Sequence, residues 1–169
     1  MNKKVATLLN DQINKEFFSA YLYLSFANYF DEVGLAGFAN WFTVQAQEER
    51  DHAMLFVKYM QNNDIKVTYE QIAKPDNSLS DTLEILKASL EHEIFITNSI
   101  NDIYALALEN KDFRTTQFLD WFIKEQGEEE MNARDLIQRV EIIGDSGKGI
   151  FIFDQELAKR VYTPASLVL

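Results

Sequence analysis

The 169-residue sequence has no cysteine, only two prolines and only six glycines. Without thiols there can be no disulfide, zinc ribbon, iron–sulfur cluster or cysteine nucleophile. With so few Pro and Gly the chain carries little punctuation, and its apolar residues mostly recur at spacings of three and four, the helical period. Basic charge is also scarce: 16 Lys and Arg stand against 27 Asp and Glu, a formal charge of −11. Such a surface repels phosphate backbones and anionic lipid, so neither nucleic acid nor membrane is expected as a partner, while cations are attracted. No apolar run approaches the ~18 residues of a membrane span, and the start "MNKKVATLLND" is amphipathic rather than a signal peptide, so the cytosol is the expected compartment. What the chain does have is apolar side chains at nearly half its positions. That composition and length describe an all-α globular protein of about one domain, residues 1–169.

Four long periodic segments can be marked, at about Lys4–Glu32, Leu35–Asn62, Leu79–Asn110 and Asp112–Ile143, with Gly34 and Gly144 as stops. Ser78 with Asp81 three residues later reads as a capping box for the third. Each helix would be roughly 45 Å long at 1.5 Å per residue. The first two are joined by "EVGLAG" and the last two by "ENKD", short enough for antiparallel hairpins. Between the pairs lies "DIKVTYEQIAKPDNS", where Ile65, Val67 and Tyr69 alternate and Pro75 forbids helix. Extended, it reaches about 50 Å, enough to travel the length of a helix and make the second and third helices parallel. The expected fold is therefore a four-helix bundle over about 4–143 with a long crossover. A short fifth helix follows at about 150–160, in which Phe153, Leu157 and Val161 share a face.

At 100° per residue, the inward stripe of the first helix is Leu9, Ile13, Ala20, Tyr23 and Ala27, with Glu16 in its middle. The second helix offers Phe38, Phe42, Phe56 and Met60, with Glu49 and His52 on the same stripe. The third offers Leu86, Leu90, Thr97, Ile100 and Tyr104 around Glu93, and the fourth Phe118, Phe122, Ala133, Leu136 and Val140, interrupted by Gln126 and Glu129. Residues 16, 49, 93 and 126 each lie near the midpoint of their helix, and midpoints meet at one height whichever way helices run. Glu49 follows Glu16 by 33 residues, and Gln126 follows Glu93 by 33, so the two hairpins each bring half of one layer.

Buried, facing carboxylates repel one another and cost several kcal/mol each when unpaired. No Lys or Arg lies on the four stripes; Arg50 and Lys124 are on other faces. Bound cations resolve the conflict. Glu49-x-x-His52 places two donors on one helical face, and one imidazole nitrogen among carboxylate oxygens suits Fe(II), Mn(II) or Zn(II) better than calcium or magnesium. The alternative, core polar groups that merely satisfy one another, fits a lone Glu-x-x-His but fits four coincident polar positions poorly. Beside this layer, Glu125, Glu128 and Glu129 share one side of the fourth helix, and Glu48 is one step round from Glu49. These carboxylates read either as a solvated face or as an additional metal site. Tyr23 reads as core packing or as a hydrogen-bonding or redox partner of a ligand, and Trp121 as packing.

Taken together, "LNDQINKEFFSAYLYLS", "AQEERDHA", "LEHEIFITNSIND", "FLDWFIKEQGEEE" and "GIFIFDQEL" resemble the bacterial non-haem ferritins over nearly the whole chain. The resemblance implies the ferritin-like di-iron architecture, in which Glu and Glu-x-x-His residues from the helices of a bundle converge on two irons; here Gln126-x-x-Glu129 replaces the second Glu-x-x-His. It implies that Glu16, Glu49 and His52 hold one ferroxidase iron, that Glu49, Glu93 and Gln126 hold the second, and that Glu49 bridges them. Glu48, Glu125, Glu128 and Glu129 match the third iron site of prokaryotic ferritins, and Tyr23 matches a tyrosine beside the dinuclear centre. The implied activity is oxidation of Fe(II) by O2 or H2O2, with Fe(III) stored as mineral in a hollow 24-subunit homo-oligomer whose fourfold axes lie near the fifth helix.

The departures narrow the subfamily. A bacterioferritin would carry a haem-ligating Met after the bridging Glu and a His in the fourth helix; Arg50 and Glu129 stand there, so no haem is expected. The cysteine-ligated module of rubrerythrins cannot form, and DNA-binding mini-ferritins lack the fifth helix. Two further readings remain: a non-catalytic shell that buffers divalent metal, and a small di-metal redox enzyme acting on an organic substrate. The large Phe, Leu and Ile residues flanking the layer argue against the cavity that the second of these needs.

Overall fold

The computed structural model describes residues 2–76 and 78–169. Among them are five helices: α1 (Lys3–Glu32), α2 (Ala36–Asn62), α3 (Thr82–Glu109), α4 (Phe113–Ile143) and α5 (Gly147–Leu157). The expected four-helix bundle with a short C-terminal helix is what forms. α3 begins three residues later than the sequence pattern places it. Its N-cap is Asp81, whose side chain accepts from the backbone N–H of Leu83 and Glu84 at 2.9 and 3.0 Å. Ser78 instead donates its backbone N–H to Asp76. The cap is Asp81 itself, three residues further on than Ser78, and the anionic Glu84 in the first turn suits the helix dipole.

Three helix ends close in the same way, with a backbone bond from the residue after a left-handed position to a carbonyl five residues back. Leu35 bonds to Phe30 past Gly34 (φ +80°), Ile65 to Met60 past Asp64 (φ +56°), and Asp112 to Ala107 past Lys111 (φ +55°). Only the first uses glycine, which is why the other two stops were not marked by one.

The crossover runs along α1. Asn10 brackets Thr68, accepting from its N–H at 2.8 Å and donating to its carbonyl at 3.0 Å, Asn14 donates to Gln71, and Tyr29 donates to Ser80 at the far end. A side-chain amide thus supplies the pairing a neighbouring strand would have given, and residues 65–76 form neither helix nor strand. The route carries the chain from the end holding the C-terminus of α2 to the end holding Tyr29 of α1, so α2 and α3 run parallel.

Packing divides the interior in two. One apolar half is built on Leu9, Ile13, Phe56, Met60, Ile96, Ile100 and Phe122; the other on Tyr23, Phe30, Phe38, Phe42, Leu86 and Leu136. Stacked and edge-on ring pairs fill both, such as Tyr59 on Phe118 at 4.0 Å and Phe30 on Phe38 at 5.0 Å. α3 is turned from the expected stripe: Ile85, Ile96, Ile103 and Ala107 are buried, while Leu90, Thr97 and Tyr104 are only half-buried. This helix is apolar on more than one side, so periodicity alone does not choose its inward face.

α5 starts and ends three residues earlier than expected. Phe153 and Leu157 are buried against the bundle, but Val161 lies beyond the helix and is exposed. What fixes α5 is the N-terminus of α2. Leu35, the N-cap of that helix, has no capping side chain; Asp154 of α5, itself buried, takes the orphan N–H groups of Gly37 and Phe38 at 2.7 and 3.0 Å. The approach is so close that a Cβ on Gly37 would sit 1.7 Å from the Asp154 carbonyl oxygen. An ordinary helical Gly→Ala change stabilises by up to about 1 kcal/mol. Here Gly37→Ala is expected to lower the thermal midpoint by dislodging α5, and Asp154→Ala to cost about 1–2 kcal/mol in denaturant unfolding. Asp154→Asn, which keeps an acceptor, should recover part of that loss; a wild-type midpoint for Asp154→Ala would mean the contact adds nothing.

Candidate metal centre

Between the two apolar halves lies a polar layer contributed by all four long helices. Glu16 of α1, Glu49 and His52 of α2, Glu93 of α3, and Gln126 and Glu129 of α4 are all buried. Glu16, Glu49 and His52 each present one donor atom within 4.8 Å of the others, the one set of three or more His, Asp or Glu side chains among the described residues that meets this limit. His52 Nδ1 is 3.4 Å from Glu49 Oε2. On the opposite hairpin, Gln126 donates to Glu93 Oε2 at 3.0 Å, and Tyr23 of α1 donates across to Glu93 Oε1. Glu129 is not on the flank with its neighbours; it turns inward and accepts from Gln45 at 2.7 Å.

Two glutamines that sequence reasoning missed orient the carboxylates. Gln12 donates to Glu16 Oε1 at 2.8 Å, and Gln45 donates to both Glu49 Oε1 and Glu129 Oε2. Each stands four residues before its glutamate, and Gln45 follows Gln12 by the same 33 residues that separate the glutamates. That repeated Gln-x-x-x-Glu was the available signal. Gln12 is held by Ser99, which is held in turn by Lys15, at 2.7 and 2.5 Å. His92 accepts or donates one bond at Ser19 and packs edge-on to Tyr23; burial lowers its pKa to about 4, so it is neutral.

The electrostatics are those of an excess of negative charge. Desolvation raises Glu16 to about 8, with repulsion from Glu49 adding to it. Desolvation likewise raises Glu49 and Glu129, reinforced by Glu129 on the first and Glu93 on the second, and raises Glu93, with Glu49 behind it. Glu16 Oε2 is buried and has no hydrogen-bond partner. An orphaned carboxylate oxygen facing a second carboxylate and an imidazole is a donor set lacking its acceptor, and a divalent cation fits it by charge and by ligand chemistry.

The flank is arranged differently. Glu48, Glu125 and Glu128 line a cavity of about 400 Å³ shared with His52, Trp41 and Trp121. Glu48 and Glu125 are half-buried with raised pKa values, in both cases chiefly from desolvation, and Glu128 is exposed. The charge balance also includes a group from outside the bundle: Arg160, in the segment after α5, ion-pairs with Glu48 at 2.5 Å. The four stripes do lack a cation, as their sequence indicates, but the tail brings one to their edge. Trp121 is more than packing, since its Nε1 donates to Ser166 of the same segment at 3.0 Å.

A carboxyl whose pKa is raised on folding favours the folded state below its unfolded value and loses that contribution as pH climbs through the folded one. The metal-free protein should therefore lose stability between pH about 4.5 and about 8. Glu49→Gln, isosteric and uncharged, should raise the metal-free thermal midpoint by several degrees at pH 8 and hardly at all at pH 5. Equal shifts at both pH values would mean that charge repulsion is not what strains the layer.

Residues 6–143 match the family model described as Ferritin-like domain. Over 92% of its length the chain is 37% identical to a bacterial non-heme ferritin of Campylobacter jejuni, covering 93% of that protein. It is 33% identical over 96% of its length to a bacterial non-heme ferritin of Staphylococcus aureus, covering 98% of it. Among solved structures it superposes on a humanized archaeal ferritin with a TM-score of 0.95 at 40% identity, covering 97% of this chain and 99% of the other. An open pore ferritin from Archaeoglobus fulgidus gives 0.94 at 38% identity, with 95% and 99% covered. With the family model spanning the whole bundle and non-haem ferritins aligning almost end to end, the chain belongs to the ferritin family.

Proposed function

We propose that this protein is an iron-storage ferritin with ferroxidase activity, which oxidises Fe(II) in the buried layer and deposits Fe(III) as mineral inside a hollow shell of 24 copies. The observation that carries the reading is the Glu16–Glu49–His52 triangle with its orphaned Glu16 oxygen, set in a layer whose helices supply no cation. Two Fe(II) ions are the substrate. Glu16, Glu49 and His52 take the first; Glu93 and Gln126, with the other oxygen of Glu49, take the second. Glu129, expected with Glu48, Glu125 and Glu128 at a third iron, faces inward and is tethered by Gln45, which supports a role beside the buried pair instead. Two ferrous ions give up one electron each, which with two protons reduces O2 to H2O2 or H2O2 to water.

The chain's own residues shape that chemistry in three ways. Gln12 and Gln45 hold the carboxylates in one orientation before metal arrives. Tyr23 donates to Glu93 Oε1 and so holds that carboxylate in place for the second iron. Carboxyls with pKa values near 8 give up protons as cations bind, so loading is coupled to proton release. An organic substrate has no room beside Glu93 and Glu129, where the void is about 10 Å³. Assembly into a shell is supported by apolar side chains left exposed on α1 and α5, among them Tyr21, Leu24, Phe151 and Ile152.

Aerobic addition of Fe(II) to the metal-free protein, following oxygen uptake and particle size, tests the proposal. Retention of many irons per subunit in a particle far larger than a dimer is expected; a handful of irons on a monomer or dimer would overturn storage, and binding without oxygen uptake would leave a metal buffer. Glu49→Ala should abolish fast oxidation because it removes the ligand shared by both metals. Glu128→Ala should change the iron-to-oxygen ratio more than the first rate, and an unchanged ratio would mark the flank carboxylates as a solvated face.

A further inference from the structure

The segment after α5 does not leave the bundle. Asn40 of α2 donates to the carbonyls of Leu157 and Arg160, Tyr162 donates to Asp51 of α2, Trp121 of α4 donates to Ser166, and Leu167 packs on the apolar half beyond the layer. Residues 158–169 therefore cross from α2 to α4 as a strap over the 400 Å³ cavity, with Thr163, Pro164, Ala165 and Ser166 forming its outer wall. Arg160 is the part of the strap that reaches inward. Its guanidinium lies 4.1 Å over the Trp41 ring, donates to Gln45 Oε1 at 2.8 Å and to the Trp41 carbonyl at 3.2 Å, and meets Glu48 Oε2 at 2.5 Å.

We propose that Arg160 is a resident stand-in for a metal ion on the flank carboxylates and that the 158–169 strap gates them: a cation occupies Glu48 only by displacing the guanidinium. The inference rests on the metal-handling reading above and adds a residue that sets which ion is held, and how tightly. A monovalent, planar guanidinium satisfies one carboxylate and one amide through its fork. A multivalent ion on Glu48 also feels the charge of Glu125 and Glu128, which line the same cavity, so it can win the seat, but against competition. Arg160 also touches Gln45, the amide that holds Glu49 and Glu129, so its departure frees an acceptor beside the buried layer at the moment an ion sits on the flank. The strap then needs to yield only at Arg160, since its contacts at Tyr162 and Ser166 are made to other residues.

The chain has two tryptophans, Trp41 and Trp121, and both line this cavity. Terbium(III), a redox-inert oxygen-seeking ion, titrated into the metal-free protein with excitation of tryptophan, therefore reports an ion near this cavity, on the flank or, through Trp121 beside His52, in the buried layer. Arg160→Gln is expected to bind terbium about tenfold more tightly than the parent, and Arg160→Lys, which keeps charge but loses the fork, to fall between them. Glu125→Gln combined with Glu128→Gln should remove most of the sensitised emission, which assigns it to the flank. Tyr162→Phe loosens the strap without touching charge and should change affinity less than Arg160→Gln; an equal effect would make the strap's closure, not the guanidinium, the cause and overturn the assignment to Arg160. Equal affinities for parent and Arg160→Gln, or no emission in either, would overturn the gate outright. Fe(II) oxidation by the parent stands apart from all of these and decides the buried centre separately.

Discussion

Everything in this molecule is arranged around the burial of like charges. Four carboxyls sit in the middle of a helical bundle with one imidazole and no lysine or arginine among them, and each would rather be elsewhere. A core with that defect holds because large apolar clusters flank it on both sides, with stacked Phe and Tyr rings above and below. Burial of that surface, at about 25 cal/mol per Å², is the term able to offset strained carboxyls. The cost is also useful, because a site made unfavourable by desolvation and repulsion is one that a cation relieves on entry.

The two hairpins share the task by repetition. Gln12 and Glu16 on α1 have counterparts in Gln45 and Glu49 on α2, on the same face and at the same height because hairpin partners run in opposite directions about a common midpoint. The second hairpin keeps the register but changes the chemistry: Glu93 is held by a tyrosine and a glutamine rather than by an amide four residues earlier. The asymmetry places the imidazole on one side of the layer and a phenol on the other, so the two metal positions differ in what surrounds them.

Much of this was legible in the sequence. Glu16, Glu49, His52, Glu93 and Gln126 were recognisable because each interrupts an apolar stripe, and stripe position and height follow from helical pitch alone. What was not legible had non-local causes. The inward face of α3 is chosen by its neighbours, since its own apolar residues wrap more than one side. Asp154 caps a helix more than a hundred residues away, and no local capping pattern announces that. Arg160 lies in a stretch without periodicity, and its role depends on where the chain turns after α5. Gln12 and Gln45 were in plain view, but a glutamine beside a glutamate on a helix is ordinary, and only their shared offset distinguishes them.

The chain of bonds from Lys15 through Ser99 and Gln12 to Glu16 has a directional consequence. A carboxamide has a fixed donor end and a fixed acceptor end, so Gln12 can orient Glu16 but cannot relay a proton away from it. On that side the layer is insulated. The opposite side, where His52 borders the 400 Å³ cavity shared with Glu48 and Glu125, is the polar, more open face. On the function proposed above, a cation entering by that cavity and the proton it expels would share one doorway, and whatever narrows it would slow both together.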